Sequence, residues 1–515
     1  MEKTKLILAS LLILIALSLT HCIPAAKPEI VTPTPVSIEK TESAAITILH
    51  WNDFHSANIP YLSRWGKTRG MEIGGYATLA GYIDSMKTIY PDAIVLNAGD
   101  DFQGSPISAM TKGMSQILIL NEINPTAFTI GNHEFDYGME NLRTAVNTAN
   151  FRILSCNLFD STSMSLFTDP YTVVESNSIK IGIIGMIMES LWSTVLPINM
   201  EKVSVLDPAE SVMKSVAEIK DTVDLIILLT HNGFYEDSLL ATNIQEVDVI
   251  LGGHSHTILR QPVTVNNILI CQAGSRGQYL GYLSATVDRN THSVSEFDYQ
   301  LIETVVGRVK PSAKVAQIVD SLEVTIDTEM RRVIGELQTP WIRNSRGESN
   351  IGSWIADATR EYFNADIAFQ NSGGIRKGLD PGKITVRDIW EISPFDNTIV
   401  LVKVGGSQLL HLLNWRINNP RDLLQQSGIR RTYDAQEKVL IDASIGGQPI
   451  FPDSVYTIAT NNYKMGHIDR FFGLSAADVV FEDTGIIGRD ILITAVEKQG
   501  IINSKIDGRL IIRNR

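Results

Sequence analysis

The sequence predicts an α/β protein with two lobes: a larger one over 44–305 on buried parallel strands, and a smaller α+β lobe over 333–515. A linking helix over 306–332 joins them. Three observations carry this reading. Short apolar runs alternate with helix-like stretches through the first lobe, the pattern of strands covered on both faces. The runs are Ala45–Trp51, Ala93–Gly99, Thr126–Asn132, Ile181–Met186, Asp224–Gly233, Val247–Ser255 and Ile268–Gly274. Several of them end in a cluster of Gly, Asn, Asp and His, at the strand ends where open α/β sheets bind ligands. Beyond them, Val315, Ile318, Val319, Leu322 and Ile326 have helical spacing between about Pro311 and Arg332. From about Val333 the texture changes. A helix begins near Gly352 with Trp354, Ile355, Ala358 and Thr359, and strands follow at Asp366–Gly373 and Thr398–Gly406.

The chain has 515 residues, 44% apolar and 20% charged, too apolar for disorder over most of its length. Lys plus Arg number 44 against 57 Asp plus Glu, a formal net charge of −13. That excludes wrapping a nucleic-acid polymer, but not binding a small anion where cations gather locally. Three cysteines make no disulfide framework, and Cys156 and Cys271 lie in apolar runs as buried thiols. The run Leu6–Leu19 behind Lys3 and Lys5 fits a signal peptide over 1–22. Cys22 behind it resembles a lipoprotein processing site, although His21 stands where a small residue is usual. An ordinary cleaved signal is the alternative. The stretch 23–43, with Pro24, Pro28, Pro33 and Pro35, reads as an extended tether. The expectation is an exported protein, periplasmic or at the cell surface, with membrane contact through a lipid on Cys22.

Five strand-end clusters carry the chemistry. They hold Asp53 and His55; Asp100; Asn132 with His133 and Asp136; His231; and His254 with His256. Asp53 and His55 are two apart, so on extended backbone they share a side. Taken as ligands, the carboxylates of Asp53 and Asp100, the amide of Asn132 and the imidazoles of His55, His231, His254 and His256 suit Zn, Mn, Fe or Co better than Ca or Mg alone. Seven groups suffice for two divalent ions with a shared carboxylate.

The forms NDFHS, GNHEFDYG and GGHSH, in this order, resemble the 5′-nucleotidase branch of the calcineurin-like metallophosphoesterases. The resemblance runs from about Thr47 to Gly508. It implies a four-layer αββα sandwich, a linking helix and a smaller substrate-binding domain. It also implies that Asp53, His55 and His256 hold one metal ion, that Asn132, His231 and His254 hold the other, and that Asp100 bridges them. His133 and Asp136 become a catalytic pair near the phosphate. The ions implied are two, with Zn, Mn or Co expected.

In the second lobe, Asn371, Gly374 and Arg376 resemble the family's substrate-domain motif, and Phe395 its base-stacking phenylalanine. Arg376 offers a planar cation suited to phosphate. Phe471 aligns with a second stacking phenylalanine, with Phe472 as its rival. There is a departure here: His467-Ile468-Asp469-Arg470 stands where the family has a glycine-rich segment. Arg346 is a further candidate phosphate cation, one residue out of register, or else a solvated loop arginine.

The function expected is hydrolysis of nucleoside 5′-phosphates to nucleoside and phosphate. A UDP-sugar diphosphatase, or a 2′,3′-cyclic phosphodiesterase with 3′-nucleotidase activity, would use the same metal centre. A surface nucleotide-binding protein without catalysis is the reading from another class.

Overall fold

The computed structural model describes residues 43–63, 66–420 and 422–514. The expected signal peptide, Cys22 and nearly all of the tether lie outside the described residues.

Two six-stranded sheets form the first lobe. One has the spatial order Ser293–Glu303, Tyr279–Asp288, Ser43–Trp51, Ile94–Asn97, Ala127–Thr129 and Arg152–Leu154. Its last four strands run parallel. The other has the order Val263–Val265, Ile268–Cys271, Val249–Leu251, Leu225–His231, Ile179–Ile187 and Tyr171–Ser176, with its four central strands parallel. The central strands are mainly apolar because neither face meets water, whereas the edge strands Ser293–Glu303 and Tyr171–Ser176 are partly exposed. Every residue of Leu225–His231 is buried.

The two sheets pack face to face. Ile48, Leu96 and Ala127 of one share a core with Ile183, Ile227, Leu229 and Leu251 of the other. Each Ile or Leu side chain among them contributes about 1.5–3 kcal/mol on burial. On the outer face of the first sheet, Leu49 and Val95 pack with Leu79, Leu120 and Val319, from the helices Tyr76–Ile89, Met114–Ile123 and Ala313–Val324. On the outer face of the second, Ile184 and Leu228 meet Val212, Val216 and Leu240 of the helices Pro208–Ile219 and Phe234–Ala241. The result is the αββα order expected.

The linking segment is helical but broken. Ala313–Val324 is one helix and Asp327–Met330 a second, short one. The first belongs to the outer layer of the large lobe through Val315 and Val319, while Ile326 and Met330 enter the core of the second lobe. Ile107 of the large lobe joins that second core as well.

The second lobe has a five-stranded sheet in the order Leu424–Ser427, Ile367–Asn371, Val455–Asn461, Thr398–Gly405 and Val480–Ile487. The helix Asn350–Phe363 starts at Ser349, whose side chain accepts from Gly352 N at 3.0 Å. Cys156 and Cys271 are both free and buried. Among the described residues, no helix is long and apolar enough to cross a membrane.

Candidate active site

The carboxyl ends of five parallel strands converge where the two sheets meet. Asp53 and His55 follow Ser43–Trp51, Asp100 follows Ile94–Asn97, and Asn132 and His133 follow Ala127–Thr129. His231 ends its own strand, and His254 and His256 follow Val249–Leu251. Groups about 200 residues apart meet here because parallel order brings their strand ends to one rim.

Asp53, His55 and His256 form one set whose ligand atoms lie within 4.8 Å of one another; Asp100, His231 and His254 form another. Asp100 also groups with His55 and His133, so it has neighbours in both sets. His55 Nε2 and His256 Nε2 face each other at 2.8 Å, and Asp53 Oδ1 is 3.3 Å from His256 Nε2. His231 Nε2 is 3.1 Å from Asp100 Oδ2, and Asn132 Oδ1 is 2.9 Å from His254 Nδ1. Such a donor set fits divalent cations. His231 gives its Nδ1 proton to Ala98 O at 2.6 Å, which leaves its buried Nε2 facing Asp100 Oδ2. Burial opposes a charge on His231, yet Asp100 overcomes it and raises its pKa. A divalent cation taken up there would displace that proton.

The ligand loops are conformationally costly. Asp53, His55, Asp100, His254 and His256 all have φ between 50° and 72°, a region that side chains other than glycine rarely adopt. Gly131 lets the loops touch: a Cβ there would lie 2.2 Å from Asp100 Oδ1.

Buried polar residues that the sequence does not single out hold these loops. Glu134 accepts from Gly131 N at 2.7 Å, Asp100 N at 3.0 Å and Asp101 N at 2.8 Å. Burial, then repulsion from Asp100, pushes its carboxyl up to about 7. Asn52 donates to Asp53 Oδ2 at 2.6 Å and accepts from Ala273 N at 2.9 Å. Gln272 binds Gly253 O at 2.5 Å and accepts from Thr257 N at 2.6 Å, bracing the loop of His254 and His256. Asn52 and Glu134 lie inside the NDFHS and GNHEFDYG forms, whereas Gln272 sits in an apolar run with nothing beside it to mark the role.

His133 makes its Nδ1 bond to Asp136 Oδ2 at 2.8 Å, which leaves Nε2 4.0 Å from Asp100 Oδ2. Burial opposes its protonation, but Asp136 and Asp100 outweigh burial and raise its pKa. His133, Asp136 and Asn132 line a cavity of ≈ 260 Å³ together with Asn371, Gly374, Arg376 and Phe395 of the second lobe. The Phe395 ring lies 5.8 Å from that of His133, and the Arg376 guanidinium 5.8 Å from the Phe395 centroid. Arg376 carries no ion pair among the described residues.

Two expected substrate residues are elsewhere. Phe471 is 0% exposed, on the helix Ile468–Phe472, in a core with Leu409, Leu413 and Phe472. Its rival Phe472 is equally buried. The bulky His467–Arg470 stretch folds as helix rather than open loop, which turns both rings inward. Tyr463 is the second-lobe aromatic that lines the cavity beside Phe395. Arg346 is exposed and does not line the cavity. Arg343, three residues earlier in that loop, is likewise exposed and outside the cavity lining, although its Nη1 donates to Arg376 O at 3.1 Å.

Behind Asn371 lies Lys464, fully buried, with Nζ 3.2 Å from Asn371 Oδ1. Burial pulls it down to about 7, against the attraction of Asp422. This folded value lies below the ordinary 10.5. Between the two values the unfolded chain binds the extra proton, so this group makes stability rise with pH across that window. Lys464→Met removes the rise. The variant's thermal midpoint, measured against the native protein's, is expected to compare better at pH 6.5 than at 9.5. The same difference at both pH values would refute this.

The comparisons agree with this arrangement. Residues 46–257 match the calcineurin-like phosphoesterases and 333–475 the 5′-nucleotidase C-terminal domain. The 5′-nucleotidase of Vibrio cholerae is 26% identical over 91% of this chain and 92% of its own. The endonuclease YhcR of Bacillus subtilis is 25% identical over 87% of this chain, which spans only 38% of that longer protein. The crystal structure of a 5′-nucleotidase precursor from Thermus thermophilus superposes with a TM-score of 0.84 at 26% identity, over 92% of this chain and 100% of that one. With this sandwich, this rim of Asp and His, and a second lobe closing on it, the chain belongs to the calcineurin-like phosphoesterases that carry a 5′-nucleotidase C-terminal domain.

Proposed function

We propose that the protein is an exported, metal-dependent phosphoric monoester hydrolase that releases phosphate from nucleoside 5′-phosphates. The carrying observation is one cavity lined by His133 and Asp136 beside the ligand rim, and by Arg376, Phe395 and Tyr463 of the other lobe. In this reading Asp53, His55 and His256 would hold one divalent ion and Asn132, His231 and His254 the other, and Asp100, which has neighbours in both sets, would be shared. When bound, the ions neutralise phosphate charge and lower the pKa of water to about 7. Arg376 binds phosphate oxygens and orients the ester. His133, kept upright by Asp136, points Nε2 at the transferring group and stabilises the charge that develops there. Phe395 and Tyr463 flank the base, worth about 1–3 kcal/mol per stacked face. The lipid on Cys22 would tether the body at a membrane surface.

Phosphate release tests this on AMP, UMP, ADP, UDP-glucose and 2′,3′-cyclic AMP, before and after chelation. The expected result is turnover of AMP or UMP that chelation abolishes and Zn, Mn or Co restores. Turnover confined to UDP-glucose or the cyclic nucleotide would keep the metal centre and overturn the nucleoside monophosphate reading. No turnover by a metal-loaded protein that still binds nucleotide would favour a binding protein.

A further inference from the structure

The departure at His467–Arg470 forms a bond between the lobes. Three side chains from one short stretch of the second lobe reach two carbonyls in a loop of the first. Tyr463 Oη donates to Ser193 O at 3.0 Å, and Arg470 donates to the same carbonyl through Nη1. His467 Nε2 donates to Val195 O at 3.1 Å. Between them Gly466 lies against Pro197, where a Cβ would sit 3.3 Å from Pro197 Cδ. His467 is buried, so its bond is shielded from water, where a hydrogen bond contributes more.

The gripped loop is part of the cavity. Thr194, Leu196 and Asn199 line it, and Asn199 Nδ2 donates to Asp136 O at 2.8 Å. The wall that His467 and Arg470 fix is therefore joined to the backbone of the residue that orients His133. The space enclosed, ≈ 260 Å³, lies below the range of about 300–1,000 Å³ usual for small-molecule sites.

We propose that His467 and Arg470 act as a clasp that sets the depth of this cavity. The clasp selects nucleotides with one phosphate between the metal centre and the nucleoside over those with two or more. A second phosphate would move the nucleoside outward, against the wall at Thr194 and Leu196. The proposal rests on the nucleotide reading above. His467 and Arg470 are positioning residues, because they act through the loop.

The test uses the full chain, metal-loaded, and the double variant His467→Ala/Arg470→Ala. Tyr463 is left intact because it lines the cavity. Hydrogen exchange without nucleotide is expected to speed up at the amides of residues 191–200 in the variant. Unchanged protection there would overturn the clasp. The ratio of kcat/KM for AMP over ADP is expected to fall about tenfold. An unchanged ratio in a variant whose loop has loosened would overturn the selectivity. If the native chain turns over neither nucleotide, the nucleotide reading and the selectivity fall together, while exchange still decides the clasp. Should the double variant fail to fold, Arg470→Gln alone is put through the same two measurements.

Discussion

Asp100→Asn is expected to lower kcat for nucleoside monophosphates by about 10³-fold or more, beyond the 10–100-fold typical of losing an outer partner of a metal ligand. Metal content should fall with it while the fold persists. The two side chains have the same shape, so Oδ1 can still accept from His133 N, a bond of 2.9 Å in the native protein. What changes is the atom 3.1 Å from His231 Nε2. A carboxylate oxygen there attracts a cation. An amide nitrogen there would instead donate to the imidazole lone pair, so the variant meets its own hydrogen-bonding needs and competes with the metal. Metal analysis beside steady-state rates checks this. A variant with native metal content and native kcat would remove Asp100 from the bridging role.

His133→Ala is expected to cost about 10²–10³-fold in kcat with little change in metal content. The distinction comes from geometry. Nδ1 of His133 is committed to Asp136, and Nε2 faces the cavity 4.0 Å from Asp100 Oδ2. A group that acts on the developing charge of the transition state lowers kcat, whereas one that only binds ground-state phosphate raises KM. Asp136→Asn should lose less than His133→Ala, because it disturbs orientation and leaves the imidazole in place. Loss of metal from His133→Ala equal to that from Asp100→Asn would make His133 a ligand and overturn the assignment.

These contrasts show which features are legible in a sequence. The gathering of Asp and His at one rim is legible because each cluster closes an apolar strand, and parallel strands deliver their ends to one edge. The layers follow from runs such as Leu225–His231, apolar on both faces. The second lobe is harder to read. Phe471 aligns with a stacking position, but whether its ring faces a cavity or a core depends on the local backbone, and His467–Arg470 makes that backbone helical. Arg346 lies in an exposed loop, where sequence order does not fix direction. Glu134, Asn52 and Gln272 act by hydrogen-bonding backbone across the rim, an action with no periodicity to reveal it. The linking helix breaks because its two ends belong to different cores, with Val319 in one and Ile326 in the other.

The left-handed backbone at five of the proposed ligand positions has an evolutionary consequence. Each costs of order 1–3 kcal/mol that the sheets must supply. Glycine at Asp53, His55, Asp100, His254 or His256 would relieve that cost, so drift under selection for folding alone favours erasing the rim. A descendant released from its chemistry would tend to grow more stable as it lost these side chains. Laboratory selection of this chain for heat resistance without an activity screen should therefore accumulate glycine at the rim first.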